Sequence, residues 1–184
     1  MKTITVKELM VPLEEYATVL REATLHEAVL ALEKAQAALA QSQYKHRAIL
    51  ILDQSKKVLG KITMKDILIA LEPNYGNLEG KEVLSRSGYS PDSIKDMLEN
   101  KALWIEPLQF ICERATHLKV RDFVRPPDDS EQIDENATLA EAIHQLVMHP
   151  YISLLVTRAD EVVGILRLSD VFAKICDKIK TCEF

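Results

Sequence analysis

The chain is written twice, and no other feature constrains its fold as much. "VKELMVP" starts at Val6 and "VRDFVRP" at Val120, while "TLHEAVLAL" starts at Thr24 and "TLAEAIHQL" at Thr138. Both pairs are 114 residues apart (120 − 6 and 138 − 24). Farther along, "ILILDQSKKVLGKITMKDIL" (49–68) parallels "LLVTRADEVVGILRLSDVF" (154–172), with Gly60 and Gly164, and Asp66 and Asp170, 104 residues apart. The first copy therefore holds ten extra residues between its helix and Gly60, nearly all of them ahead of its first long strand, and the order of elements is otherwise kept. Two copies are too few for a solenoid, so a pseudo-symmetric pair is expected.

Each copy reads as a short strand, a helix, two longer strands and a second helix. Thr24 with Glu27, and Thr138 with Glu141, fit the S/T-x-x-E capping box, in which side chains satisfy the free amides of a helix start. Leu25, Ala28, Val29, Leu32, Ala35 and Leu39 form one apolar stripe at helical spacing, and the helix is expected to run to about Gln43, taking up the extra residues. "AILIL" (48–52) then reads as a strand buried on both faces, "DQSKK" as a polar turn and "VLGKI" as its hairpin partner. A helix follows from about Met64. The second copy repeats this with "ISLLV", "TRAD", "EVVGIL" and a final helix, where Lys178 and Lys180 suit the C-terminal end. Short leading strands are expected near Thr18–Leu20 and Gln132–Ile133. A unit this small cannot bury both faces of its sheet, so the copies should pack together. The fold class expected is α+β: two pseudo-symmetric repeats over 1–72 and 118–184, with a helical insertion at 73–117. Inside the insertion, "PNYGNLEG" signals a loop and Ser90 and Pro91 start a helix. Leu103, Trp104, Ile105, Leu108, Ile111 and Cys112 suggest an amphipathic helix or turn. The acidic "PPDDSEQIDEN" (126–136) lacks calcium-loop spacing and reads as a solvated connector.

Composition excludes several classes. The chain has 184 residues, a formal charge of −5 and Lys and Arg scattered along it, so no basic face for nucleic acid is expected. No apolar run approaches the ~20 residues of a membrane span, and the start of the chain lacks a signal-peptide core. Three well-separated cysteines (Cys112, Cys176, Cys182) suit reduced thiols in a cytoplasmic protein. The sequence contains no GxSxG, HExxH, P-loop or CxxC, and its five histidines form no ligand-spaced cluster. Neither catalysis nor a metal site is expected.

The stretch "GKITMKDILIAL" (60–71) carries the functional question. Thr63 and Asp66 fit a capping pattern at the start of a helix. The same geometry offers free amides and partial positive charge to a phosphate, a donor from the Thr63 hydroxyl, and a carboxylate for two ribose hydroxyls. Gly60 allows a backbone or a ligand to approach the strand closely. Capping and binding can coexist.

The duplicated order of elements, ending in Gly-x-φ-Thr-x-x-Asp (φ apolar), resembles the cystathionine-β-synthase (CBS) domain pair, or Bateman module. The first copy matches with Gly60, Ile62, Thr63 and Asp66; the second keeps Gly164, Leu166 and Asp170 but has Arg167 in the threonine position and Ser169 beside the aspartate. The resemblance implies two three-stranded sheets with helices, packed through their sheets about a pseudo-twofold axis, with two clefts for adenosine-type ligands. One site would use Thr63, Asp66, His46 and Arg47. The other would use Asp170 and Ser169, with Arg167 either holding phosphate or filling the cleft. The reading that follows is a stand-alone, non-catalytic regulatory module with no required cofactor. Its ligand would be AMP, ADP or ATP; its partners would be a second copy of the chain, through the helices, and an effector protein. The alternative is a dimerising structural protein with degenerate clefts.

Overall fold

The computed structural model describes residues 4–39, 44–72 and 108–181. The elements run β1 (Val11–Pro12), β2 (Thr18–Leu20), α1 (Leu25–Ala38), β3 (Ala48–Leu52), β4 (Val58–Thr63), α2 (Met64–Leu71), α3 (Leu108–His117), β5 (Gln132–Asp134), α4 (Leu139–Met148), β6 (Ser153–Arg158), β7 (Glu161–Arg167) and α5 (Leu168–Lys180). One sheet has the order β2-β3-β4 and the other β1-β7-β6-β5. In each copy the short leading strand lies parallel to the first long strand, which forms an antiparallel hairpin with the second.

The local rules account for these elements. Thr24 and Thr138 each accept from the amide of the glutamate three residues on, and that glutamate reaches back to the threonine amide. In the first hairpin turn, Asp53 Oδ1 accepts from the Lys57 amide (2.9 Å) and the Ser55 hydroxyl (2.6 Å). The second hairpin turns on Ala159 and Asp160, both at positive φ, as a two-residue connection requires. Helix α1 stops at Ala38, short of the expected Gln43. Its last turn is tied down by Gln36, whose side-chain amide donates to the His46 carbonyl at 2.8 Å. Helix α3 covers the end of the expected insertion, whereas Trp104 and the helix expected after Ser90 lie outside the described residues.

The copies are joined by an exchange. The leading segment of each docks on the other: the Val6 amide donates to the Ala137 carbonyl, and the Val120 amide to the Ala23 carbonyl. Val6 is buried in the core of Leu139, Ala142, Leu154, Val156 and Leu166, whereas Val120 completes the core of Ala28, Leu32, Ile49, Ile51 and Ile62. Burying a valine is worth about 1.5–3 kcal/mol, so each copy's core depends on a residue supplied by the other. A third cluster, with Tyr16, Ala48, Leu50 and Val58 facing Leu155 and Ile165, fills the space between the sheets.

Gly60 and Gly164 mark where the exchanged segments cross the strands. A Cβ on Gly60 would sit 2.3 Å from the Arg125 carbonyl oxygen, and one on Gly164 would sit 2.6 Å from that of Val11. The close approach that Gly60 permits is therefore made by backbone. Because backbone cannot swing aside, Gly60→Ala and Gly164→Ala should each lower stability by about 1–3 kcal/mol, measured by urea unfolding. An unchanged midpoint would mean that the leading segments do not lie on these strands.

Candidate functional site

The site residues fall at the two places where a β-hairpin runs into a helix against the opposite copy. In the first cleft, Thr63 is both the last residue of β4 and the N-cap of α2. Asp66 Oδ2 accepts from the Thr63 amide (2.8 Å) and hydroxyl (2.7 Å), and the Asp66 amide donates back to that hydroxyl at 3.3 Å. The capping box is thus fully formed. The other oxygen, Oδ1, meets only the Arg125 guanidinium among the described residues, at 3.7 Å. Asp66 keeps about a quarter of its side chain exposed, and Arg125 is almost wholly exposed.

Two residues before Thr63 on the same face of β4, Lys61 reaches into the second copy. Its ammonium donates to the Ser153 carbonyl (2.6 Å) and hydroxyl (3.0 Å) and pairs with Glu131 at 2.9 Å. It also lies 5.8 Å from the Tyr151 ring centroid. Burial lowers the Lys61 pKa, with Glu131 pulling the other way. All three ammonium protons are satisfied, so the side chain stitches the copies together. Glu131 belongs to the acidic run expected to be a solvated connector; instead it is the counter-ion of a buried lysine. Arg125, Lys61 and Glu131 had no local sequence signal as site residues, because each acts across the exchange.

The second cleft is built differently. Arg167 is the last residue of β7 and the N-cap of α5, but its side chain makes no capping bond. The guanidinium instead forks onto Asp170, with Nε donating to Oδ2 (2.5 Å) and Nη2 to Oδ1 (2.7 Å). Its Nη1 crosses to the first copy, donating to the Tyr44 carbonyl at 2.6 Å and meeting His46 Nδ1 at 3.3 Å. Arginine can only donate, so His46 Nδ1 accepts and the ring proton is assigned to Nε2. His46 is wholly buried, its ring 4.2 Å from that of Tyr16, and among the described residues Nε2 has no hydrogen-bond partner. Burial and then the Arg167 charge hold the His46 pKa below its usual range, with the Glu15 backbone and Asp170 pulling less strongly the other way. Burial pushes the Tyr16 hydroxyl up to about 12. Ser169 is half-buried on the first turn of α5.

The structure thus divides residues expected together. His46 joins Arg167 and Asp170, not Thr63 and Asp66. Its neighbour Arg47 is exposed, and the Arg47 carbonyl accepts from the Met64 amide at the start of α2 (3.3 Å). Successive residues leading into β3 therefore serve opposite clefts. Two shallow surface depressions among the described residues lie away from both, on α4 (including His144 and His149) and on α3 (including Phe110 and His117). No group of three or more potential ligands among the described residues could hold a metal ion, and no described helix is long and apolar enough to cross a membrane. Cys112 and Cys176 are free thiols.

Two sheet-and-helix copies that exchange leading segments and face each other across two helix starts define a tandem-repeat module. The chain belongs to the CBS-domain family, whose model matches residues 6–73 and 120–177. CBS-domain pairs of this kind are typically non-catalytic regulatory modules. No curated protein matches the sequence. Solved structures share the fold. A CBS domain-containing protein of unknown function from Bacillus anthracis has a TM-score of 0.61 at 21% identity, with 96% of each chain covered. CBSX2, a CBS-pair protein of Arabidopsis thaliana, in complex with AMP has a TM-score of 0.58 at 17% identity, covering 96% of this chain and 98% of that one. The CBS domain of a bacterial CNNM/CorC family Mg2+ transporter in complex with ATP has a TM-score of 0.58 at 15% identity, covering 95% and 89%.

His46 gives the second cleft a pH signature. Its folded pKa lies below the unfolded value near 6.5, so the unfolded chain binds a proton that the fold resists. That stability is complete above about pH 6.5 and is lost as pH falls toward the folded pKa, by at most about 1.4 kcal/mol per pH unit. Urea unfolding from about pH 7.5 to about pH 5.5 should show this slope in the wild type and a flatter one in His46→Gln. Equal slopes would place the acid sensitivity elsewhere.

Proposed function

We propose that this chain is a regulatory module that binds an adenine nucleotide in the first cleft and passes its occupancy to an effector protein. The supporting observation is the state of Asp66, a partly buried carboxylate at a helix start whose Oδ1 has no close hydrogen bond among the described residues. Ribose hydroxyls would donate to Asp66. A phosphate would meet the first amides of α2, the exposed Arg125 and the Thr63 hydroxyl, which would turn from Asp66 to donate to it. Family membership and fold relatives solved with AMP and ATP support this ligand class. Exposed apolar side chains on α4 and α5 (Val147, Met148, Leu168, Phe172 and Ile179) suit a homodimer through helix faces.

Ligand binding would act through the contacts joining the copies. Arg125 arrives on the exchanged segment and Lys61 ties the adjoining strand to the second copy, so occupancy would favour one relative arrangement of the lobes. The alternative, a dimerising protein with degenerate clefts, draws on the Arg167 clamp, which applies to the second cleft alone.

Calorimetric titration with AMP, ADP and ATP should give saturable binding to the wild type. Asp66→Asn keeps an acceptor for the helix cap but removes the charge, and should weaken binding about tenfold or more, the loss of one charge-assisted hydrogen bond. Neither heat nor a thermal shift at millimolar nucleotide would reject the proposal.

A further inference from the structure

We infer that the second cleft is a latent adenine-nucleotide site that the chain's own Arg167 holds shut. This rests on the reading that the clefts of this module take such ligands, and concerns what decides how many it takes. Arg167 occupies the position that Thr63 fills in the first copy: each ends the second long strand and N-caps the next helix. Asp170 stands three residues on, as Asp66 does, at the start of the 13-residue α5. The difference lies in what the aspartate holds. In the first cleft one oxygen serves the helix cap and the other is left to the exposed Arg125. In the second, the Arg167 fork engages both oxygens at the same time.

The guanidinium is an internal occupant rather than a waiting phosphate ligand. Arg167 is only 8% exposed, and its third nitrogen is committed across the interface to the Tyr44 carbonyl and His46. Its donors already stand at the carboxylate where ribose hydroxyls would donate. Swinging it out would strip the Tyr44 carbonyl and the buried His46 ring of their donor and separate a nearly buried ion pair, both of which are costly inside a protein. The His46 Nε2 beside this clamp already lacks a hydrogen-bond partner among the described residues, so little there could replace the lost bonds.

The test is the number of nucleotides bound per chain, measured calorimetrically with ATP on the full chain. Wild type should bind one, and Arg167→Thr, which restores the threonine–aspartate pairing of the first cleft, should bind two. Adding Asp170→Asn to that variant should remove the gained site alone. A folded Arg167→Thr protein that binds no more than wild type overturns the inference, as does a wild type that already binds two. If wild type binds none and Arg167→Thr binds one, the inference stands and the proposed role of the first cleft falls. If Arg167→Thr fails to fold, the Arg167 Nε–H resonance of the wild type decides. It should exchange slowly with solvent and stay unmoved at saturating ATP; fast exchange or displacement by ATP overturns the inference.

Discussion

The exchange of leading segments is the constraint on which the rest of this structure depends. Each copy lays two layers, a sheet and its helices, and leaves one wall of the core open. Val120 closes the first copy and Val6 the second. The exchange also satisfies backbone groups at both helix starts, since the Leu25 amide donates to the Leu118 carbonyl and the Leu139 amide to the Ile4 carbonyl. Closure and capping are thus shared between lobes, and the glycines at 60 and 164 leave room for the crossing chains.

The same exchange makes the clefts, because it brings each hairpin end against the other copy. Near-symmetry of backbone then meets asymmetry of side chains. Thr63 and Arg167 hold corresponding places, as do Arg125 and Val11 on the exchanged segments. His46 and Tyr151 also correspond, each two residues before the strand residue (Ala48 or Ser153) that faces the end of the hairpin. From the second strand of each hairpin a cation crosses to the opposite copy. Lys61 is neutralised by Glu131 beside a cleft whose aspartate retains an oxygen, while Arg167 takes both oxygens of the aspartate itself. Two clefts from one duplicated pattern therefore differ in chemistry.

Much of the fold was legible because it is local. The capping boxes at Thr24 and Thr138, the hairpin of "AILIL" with "VLGKI", the leading strands and the start of α2 all follow from residues within a few positions of one another. The end of α1 was less so: the apolar stripe points past Ala38, but the Gln36 bond to the chain returning at His46 belongs to tertiary structure. The clefts were legible by half. Thr63 with Asp66 is an i,i+3 relation, and it forms as the spacing implies. The grouping of His46 with Arg167, and the pairing of Glu131 with Lys61, could not be read in the same way.

The sequence by itself determined the repeat, the order and type of its elements, the cap at Thr63 and the break in symmetry at Arg167. These are matters of spacing and residue type, whose physics acts over one or two turns of chain. Only the tertiary structure decided which copy closes which core and which charges meet. A hydrogen bond reaches about 3 Å, so the partners of Lys61, Arg125 and Arg167 are fixed by how two sheets, separated by scores of residues, come to lie against each other.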